Sequence, residues 1–140
     1  MKKLNLVLFL IVILHNGAPA QRKSTDRNKT AKATHSSKKI IIKYGVASFY
    51  AKKFDGRKTA NDEIFSSTKY TAACNQLPFN TWIKVTNLRN NKSVIVRIND
   101  RLHPKNKRLV DLSRVAAKKL GYTGRGIANV KVEVLNNFHL

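Results

Sequence analysis

The segment Ser93–Asp100, with the sequence SVIVRIND, limits the possible folds of this chain more strongly than any other stretch. Apolar residues at positions 94, 96 and 98 share one side of it, which is the period-two pattern of a β-strand with one buried face. Asp100 continues on that apolar side, so we expect its carboxyl group at the rim of a core. A partly desolvated carboxyl group holds a proton more readily than one in water, which suits a general acid.

Three other runs alternate in the same way and predict strands at residues 42–50, 82–87 and 129–135. The Asn90–Asn91 pair precedes the Ser93 strand, and asparagine tolerates the positive φ angle of a tight hairpin turn. One helix is predicted between Ser113 as its N-cap and Gly121 as its C-terminal stop. Several short strands around one helix indicate a mainly β fold and favour a small closed barrel over a parallel α/β sheet.

The first twenty residues predict a signal peptide, residues 1–20, that is absent from the mature protein. A charged start is followed by an apolar run that ends at Leu14 and by the small residues Ala18-Pro19-Ala20. That apolar run is shorter than the ~20 residues that cross a bilayer as a helix. Because Cys74 is the only cysteine, no lipid-attachment cysteine lies near the cleavage point. We therefore expect an exported protein that is periplasmic or secreted, is not a lipoprotein, and has no transmembrane segment in its mature chain.

Basic residues are abundant throughout the chain, whose formal net charge is +21. Residues 21–43 have eight basic side chains, one acid and little apolar periodicity, and so predict a basic, disordered arm. Residues 44–140 are predicted to form one small domain. Such a positive field attracts polyanions, and without a nucleic-acid-binding motif the expected partners are anionic polymers of the cell envelope. The chain has no zinc-like Cys/His cluster and no glycine-rich phosphate loop, so we expect no cofactor and no metal. We also expect the protein to be a monomer.

Seven short motifs follow one another over about residues 44–135, namely Gly45–Tyr50, Phe54–Glu63, Thr71–Ala73, Leu77–Phe79, Val85–Leu88, Val94–Arg101 and Val110–Ser113. These motifs, and the order in which they occur, resemble those of the rare lipoprotein A (RlpA) family. The resemblance implies a six-stranded double-psi β-barrel with one or two short helices. Some members are endolytic lytic transglycosylases, which cut MurNAc–GlcNAc bonds in peptidoglycan strands that lack stem peptides and leave 1,6-anhydro ends.

The resemblance places the catalytic aspartate of the family at Asp100 and a second acidic site position at Glu63. A lytic transglycosylase uses the 6-hydroxyl of the sugar as nucleophile, so one carboxyl group can act first as acid and then as base. We therefore expect Asp100 to be the general acid–base and Glu63 to bind substrate or tune Asp100. The residues alone also allow a purely structural Asp100, bound to backbone amides or paired with Arg101, and a solvated Glu63. For Asp111 we expect a structural role.

Two positions depart from the pattern of active family members, which usually have histidine where this chain has Cys74 and aspartate where it has Ser66. Cys74 is expected to be an apolar filler on the cleft wall or, in basic surroundings, a reactive thiolate. His103 is either a replacement for the missing imidazole or a surface-loop residue. Arg101 opposes retention of a proton on Asp100, because a nearby cation favours the charged carboxylate.

Two functions other than cleavage are compatible with the same residues. The first is a non-catalytic, expansin-like module that binds or loosens peptidoglycan through aromatic side chains, for which Trp82, Tyr50 and Phe54 are the candidates. The second is a basic effector that binds an anionic surface by charge alone, with a large contribution from the arm at residues 21–43. Its binding would weaken steeply as salt screens the charges.

Overall fold

The computed structural model describes residues 40–136 and residue 138. The elements in this part of the chain are β1 (Ile42–Phe49), a 3-10 helix (Lys52–Phe54), β2 (Thr71–Ala73), β3 (Trp82–Asn87), β4 (Ser93–Asp100), β5 (Val110–Leu112), α1 (Arg114–Leu120) and β6 (Ala128–Val134). The predicted signal peptide and residues 21–39 of the predicted arm lie outside the described residues. Within the described residues, no helix has the length and apolar character needed to cross a membrane.

The six strands close into one barrel in the order β1-β5-β2-β4-β3-β6. Strands β1 and β5 pair in parallel, as do β2 and β4, while the other four pairings are antiparallel. A closed, mixed barrel of six strands with one α-helix confirms the mainly β fold class and the double-psi architecture that the sequence predicts.

The four alternating runs form the four long strands of the barrel. Strand β1 begins at Ile42, as the strand predicted at residues 42–50 does, and Ile42 and Lys43, which the predicted arm also includes, pair with β6. The hairpin between β3 and β4 turns through Asn91, whose φ angle is +58°, as the asparagine pair predicts. Strands β2 and β5 have three residues each, which is too short for an alternating pattern to reveal them.

The core is built mainly from the apolar sides of β3, β4 and β6, whose alternate residues point into the barrel. These buried side chains are Ile83, Val85, Val94, Val96, Ile98, Val130, Val132 and Val134. Burial of a side chain of this size stabilises the fold by roughly 1.5–3 kcal/mol. The alternation in sequence therefore fixes which face of each strand lies inside.

A β-bulge at Asn99 sets the direction of Asp100 at the end of β4. Ala72 of β2 is opposite Ile98 and the next residue, Ala73, is opposite Asp100, so Asn99 has no partner on β2. Bulges bend a strand and re-aim its side chains, and they are common beside functional sites. Asn99 is buried but lies on the side of Arg97, as alternation predicts, because both side chains donate to Glu63. Asp100, opposite Ala73, lies on the side away from Ile98, so the prediction that it continues the apolar side is wrong, although it is half-buried.

The helix α1 begins after Ser113 and ends at Gly121, as the sequence predicts, although the Ser113 side chain makes no capping hydrogen bond. Gly121 has a left-handed conformation with φ of +75°, which closes the helix by backbone hydrogen bonds to the last turn. The last helical carbonyl, that of Leu120, also accepts hydrogen bonds from the side chains of Asn87 and Asn90 at 3.0 Å each. The β3–β4 hairpin therefore caps the helix, and this fixes the two elements to each other.

Candidate active site

Asp100 lines a cleft of about 600 Å³ at one end of the barrel. The cleft is bordered by the loop that follows β1, the loop that follows β4, and Asp111 of β5. Its other side chains are mainly aromatic or basic and include Tyr50, Phe54, Phe65, Arg57, Lys58 and His103. A cleft of this volume is large enough to hold a segment of a polymeric ligand.

The Asp100 carboxylate is held in one orientation by three hydrogen bonds. The backbone N–H groups of Ala60 and Arg101 donate to Oδ1, each at 2.8 Å. The hydroxyl of Tyr50 donates to Oδ2 at 2.6 Å. Both carboxylate oxygens are therefore fixed, with the two N–H groups on Oδ1 and the Tyr50 hydroxyl on Oδ2.

Tyr50 is packed so that its hydroxyl stays beside Asp100. Its ring contacts Phe65 at a centroid distance of 4.5 Å and Phe54 edge-on at 5.8 Å. Burial, together with the hydrogen bond to Asp100, raises the pKa of the Tyr50 hydroxyl far above its ordinary value. The hydroxyl therefore remains protonated near neutral pH, and as a hydroxyl it can donate to a carboxylate or accept from a carboxylic acid.

Arg101 does not neutralise the Asp100 carboxylate. Its guanidinium donates to the backbone carbonyl of Cys74 at 2.7 Å and stacks over the ring of Phe79, 3.7 Å from the centroid. No salt bridge to Asp100 occurs within residues 40–136. The electrostatic opposition expected from the adjacent arginine is therefore reduced by its orientation.

Asp111 is a second carboxylate of the same cleft, and it is bound by arginine. Arg108 donates to both of its oxygens, at 2.7 and 2.9 Å. This pair fixes the loop between β4 and β5 against the barrel, which agrees with the structural role predicted for Asp111. His103 also lines the cleft, but it is exposed and its Nδ1 accepts the backbone N–H of Lys105 at 3.2 Å.

Glu63 is not among the residues that line this cleft. Arg97 binds both of its oxygens at 2.7 and 2.8 Å, and the amides of Asn99 and Asn61 add a hydrogen bond each. The hydrogen bonds from Arg97, with smaller contributions from these amides, lower the pKa of Glu63 to about 2. Glu63 therefore stays ionised and ties the loop that contains Ala60 to strand β4.

The two positions that depart from the family pattern supply no titratable group to the cleft. The Cys74 side chain is part of the hydrophobic core and is 0% exposed. Its backbone N–H donates to the Asp100 carbonyl at 3.1 Å, so its backbone is close to Asp100 in space while its thiol is packed inside. Ser66 shares a hydrogen bond with the hydroxyl of Thr68 at 2.8 Å and does not line the cleft.

The three candidate aromatic residues do not form one platform. Tyr50 and Phe54 line the Asp100 cleft, whereas Trp82 lies outside it on strand β3. Trp82 contacts the ring of Phe138 at a centroid distance of 5.1 Å and is only half-buried, in agreement with the outward direction that its alternation predicts. Any binding by Trp82 therefore involves a different surface.

Sequence reasoning missed two features of the cleft. The N–H of Ala60 reaches Asp100 from forty residues away, and a backbone group in a loop leaves no trace in a sequence pattern. Tyr50 was assigned to ligand stacking, but its hydroxyl is bound to Asp100. Within the described part of the chain, no group of three His, Cys, Asp or Glu residues is arranged to hold a metal ion.

A family model described as lytic transglycolase matches residues 42–132, which is nearly the whole barrel. The endolytic peptidoglycan transglycosylase RlpA of Haemophilus influenzae is 53% identical over 98 residues, covering 70% of this chain and 34% of that protein. The protein of the same name from Neisseria meningitidis is 40% identical over 114 residues, covering 81% of this chain and 44% of that protein. The chain thus spans between a third and a half of the length of these curated relatives.

Solved structures with low sequence identity have the same fold. The Streptomyces papain inhibitor superposes with a TM-score of 0.56 at 17% identity, covering 69% of this chain and 96% of that chain. A mutant of Clavibacter michiganensis expansin in complex with cellohexaose superposes with a TM-score of 0.56 at 18% identity, covering 71% of this chain and 53% of that chain. At these identities the two similarities concern the barrel fold alone.

Proposed function

Because the chain belongs to the lytic transglycolase family, we propose that its barrel cleaves the glycan strands of peptidoglycan with Asp100 as general acid–base. The proposed substrate is a strand free of stem peptides, cut internally at MurNAc–GlcNAc bonds. The relatives named as endolytic peptidoglycan transglycosylases support this substrate class. Such a substrate lies outside the cytoplasm, in agreement with the predicted signal peptide at residues 1–20.

The proposed reaction needs one carboxyl group and no water. Protonated Asp100 gives its proton to the glycosidic oxygen as the bond from that oxygen to C1 of MurNAc breaks. The resulting carboxylate then takes the proton of the 6-hydroxyl of the same sugar as O6 bonds to C1. The 1,6-anhydro ring forms, the leaving strand keeps the first proton, and Asp100 is protonated again. General acid–base catalysis of this kind contributes about 10²–10⁴ in rate.

The fixation of Asp100 in an aromatic-walled cleft is the observation that carries this proposal. Two backbone N–H groups hold Oδ1, and Tyr50 holds Oδ2 through a hydroxyl that is compatible with either protonation state. The same contact therefore persists while the proton leaves and returns. A group held in one geometry loses little entropy on reaching the transition state.

Product analysis in H₂¹⁸O tests the reaction type, because the cleft has two carboxylates. Asp100 and Asp111 together resemble the acid and base of a hydrolase, which would add labelled oxygen to the new reducing end. A lytic transglycosylase incorporates no ¹⁸O, so its fragments are about 20 Da lighter than the products of hydrolysis in the labelled water. Mass spectrometry of purified residues 21–140 with strands free of stem peptides should show unlabelled 1,6-anhydro ends. Labelled reducing ends would contradict the proposal.

A second candidate is a barrel that binds peptidoglycan without cutting it. It is favoured by the burial of Cys74 and by the position of Ser66, since neither residue supplies the titratable group that active family members usually have there. Retention of the glycan strands without any cleavage, in the same incubation, would support this function. Release of 1,6-anhydro fragments would eliminate it.

A further inference from the structure

A second concave surface lies on the outside of the barrel, over strands β3 and β4. Three adjoining depressions of about 360 to 380 Å³ lie there. The central one shares Tyr70 and Ile95 with one neighbour, and Trp82 and Phe138 with the other. None of their lining residues lines the Asp100 cleft. We call these four residues, with the cations beside them, the outer aromatic surface.

Aromatic rings form the floor of the outer aromatic surface. Tyr70 is 41% exposed at one side, and Trp82, tilted against Phe138, is half-buried at the other. Ile95 of β4 lies with both rings in the same central depression. Such large, partly exposed apolar faces are the groups on which the C–H faces of sugar rings stack.

The border of the outer aromatic surface is basic. Lys69, Lys84, Lys119 and Arg97 line the depressions, and the three depressions include no acidic residue. The ammonium group of Lys119 lies 5.5 Å from the centroid of the Tyr70 ring. None of the three lysines has an ion-pair partner within the described residues. The surface therefore suits a ligand with both apolar ring faces and anionic groups.

We propose that the outer aromatic surface binds a second length of the peptidoglycan glycan strand, away from the bond that is cut. A strand without stem peptides has one lactyl carboxylate on each MurNAc, which complements the free lysines, while its sugar faces stack on Tyr70 and Trp82. This inference takes its ligand, the peptidoglycan strand, from the proposed function, but it does not require that the protein cleaves that strand. Arg97 links the surface to the active site, because it borders the central depression and binds Glu63 in the loop that positions Ala60.

Binding measured in the inactive Asp100→Asn background isolates this surface from cleavage. Tyr70→Ala should weaken the binding of stem-peptide-free strands by about fivefold, which corresponds to the ~1 kcal/mol of one aromatic contact. Trp82→Phe keeps an aromatic ring and should weaken binding less than Trp82→Ala. Tyr44→Ala is the matched control, because this tyrosine is 68% exposed on β1 and lines none of the three depressions.

Neutral chitooligosaccharides separate the contribution of stacking from that of charge, because they have the same type of ring without lactyl carboxylates. Tyr70→Ala should weaken the binding of both ligands. Lys84→Ala combined with Lys119→Ala should weaken the binding of the anionic strands alone, and only at low salt. Unchanged affinity of Tyr70→Ala and of Trp82→Ala, with both variants folded by circular dichroism, would overturn the inference. If the Asp100→Asn variant binds strands through this surface while the wild type releases no 1,6-anhydro product, the proposed cleavage fails, and the proposed binding by the outer aromatic surface stands.

Discussion

At the scale of single residues, the orientation of Asp100 depends on groups that are remote in sequence. Tyr50 precedes it by fifty positions and Ala60 by forty, and both are brought to it by the loop after β1. The alternation of β4 predicted that Asp100 lies at the rim of the core. Its hydrogen-bond partners could not be predicted in the same way, because they depend on how two distant segments pack.

Tyr50→Phe should lower kcat on glycan strands by roughly tenfold with little change in KM, because one hydrogen bond to a charged group is lost while the ring packing is kept. Turnover of the variant at saturating substrate measures this. Tyr122→Phe is the matched control: Tyr122 is also buried, and its hydroxyl donates to the carbonyl of Ser48 at 2.8 Å outside the cleft. An equal loss of kcat in both variants would mean that the Tyr50 hydroxyl acts only through stability.

Glu63→Gln should lower stability in a pH-dependent way. The Arg97 ion pair lowers the pKa of folded Glu63 from 4.5 to about 2. A lowered carboxyl pKa stabilises the folded state above about pH 4.5, and this contribution is lost as the pH falls towards 2. The difference in Tm between wild type and Glu63→Gln should therefore be widest near pH 6 and narrow by pH 3. A difference that stays constant over this range would contradict the ion-pair account.

At the scale of elements, the length of a strand decided whether it could be predicted. Strands of six to eight residues complete several periods of alternation, so β1, β3, β4 and β6 were recognisable in the sequence. The three-residue strands β2 and β5 are held by their parallel neighbours rather than by a pattern of their own. The bulge at Asn99 likewise follows from the pairing with β2, and it turns Asp100 to the side opposite the one that strict alternation predicts.

Gly45→Ala tests the close contact between β1 and the segment before β5. A Cβ atom at Gly45 would lie 2.7 Å from Cβ of Leu109, which is too close for the backbone to accept without moving. We expect a loss of about 1–3 kcal/mol in the free energy of unfolding, as for other overpacked sites. Gly124→Ala is the control, because a Cβ atom there meets nothing within 4 Å. Equal stability of the two variants in urea denaturation would show that β1 can shift at no cost.

At the scale of the whole molecule, the barrel presents two surfaces suited to one kind of polymer. The Asp100 cleft has a fixed carboxyl group and aromatic walls, and the outer aromatic surface has rings bordered by free lysines. The barrel fold could be predicted, because motifs and alternation are local. Two other features could not be predicted, because both follow from closure of the barrel. They are the separation of Trp82 from Tyr50 and Phe54, and the pairing of Glu63 with Arg97.

The most direct test of the central claim compares the release of 1,6-anhydro fragments from stem-peptide-free strands by wild type, Asp100→Asn and Asp62→Asn. Asp62 is the matched control, because its carboxylate is exposed and lies outside the cleft. We predict that Asp100→Asn lowers the rate at least about 10²-fold while Asp62→Asn keeps the wild-type rate. A folded Asp100→Asn variant that releases fragments within a few-fold of the wild-type rate would contradict the assignment of Asp100 as the general acid–base.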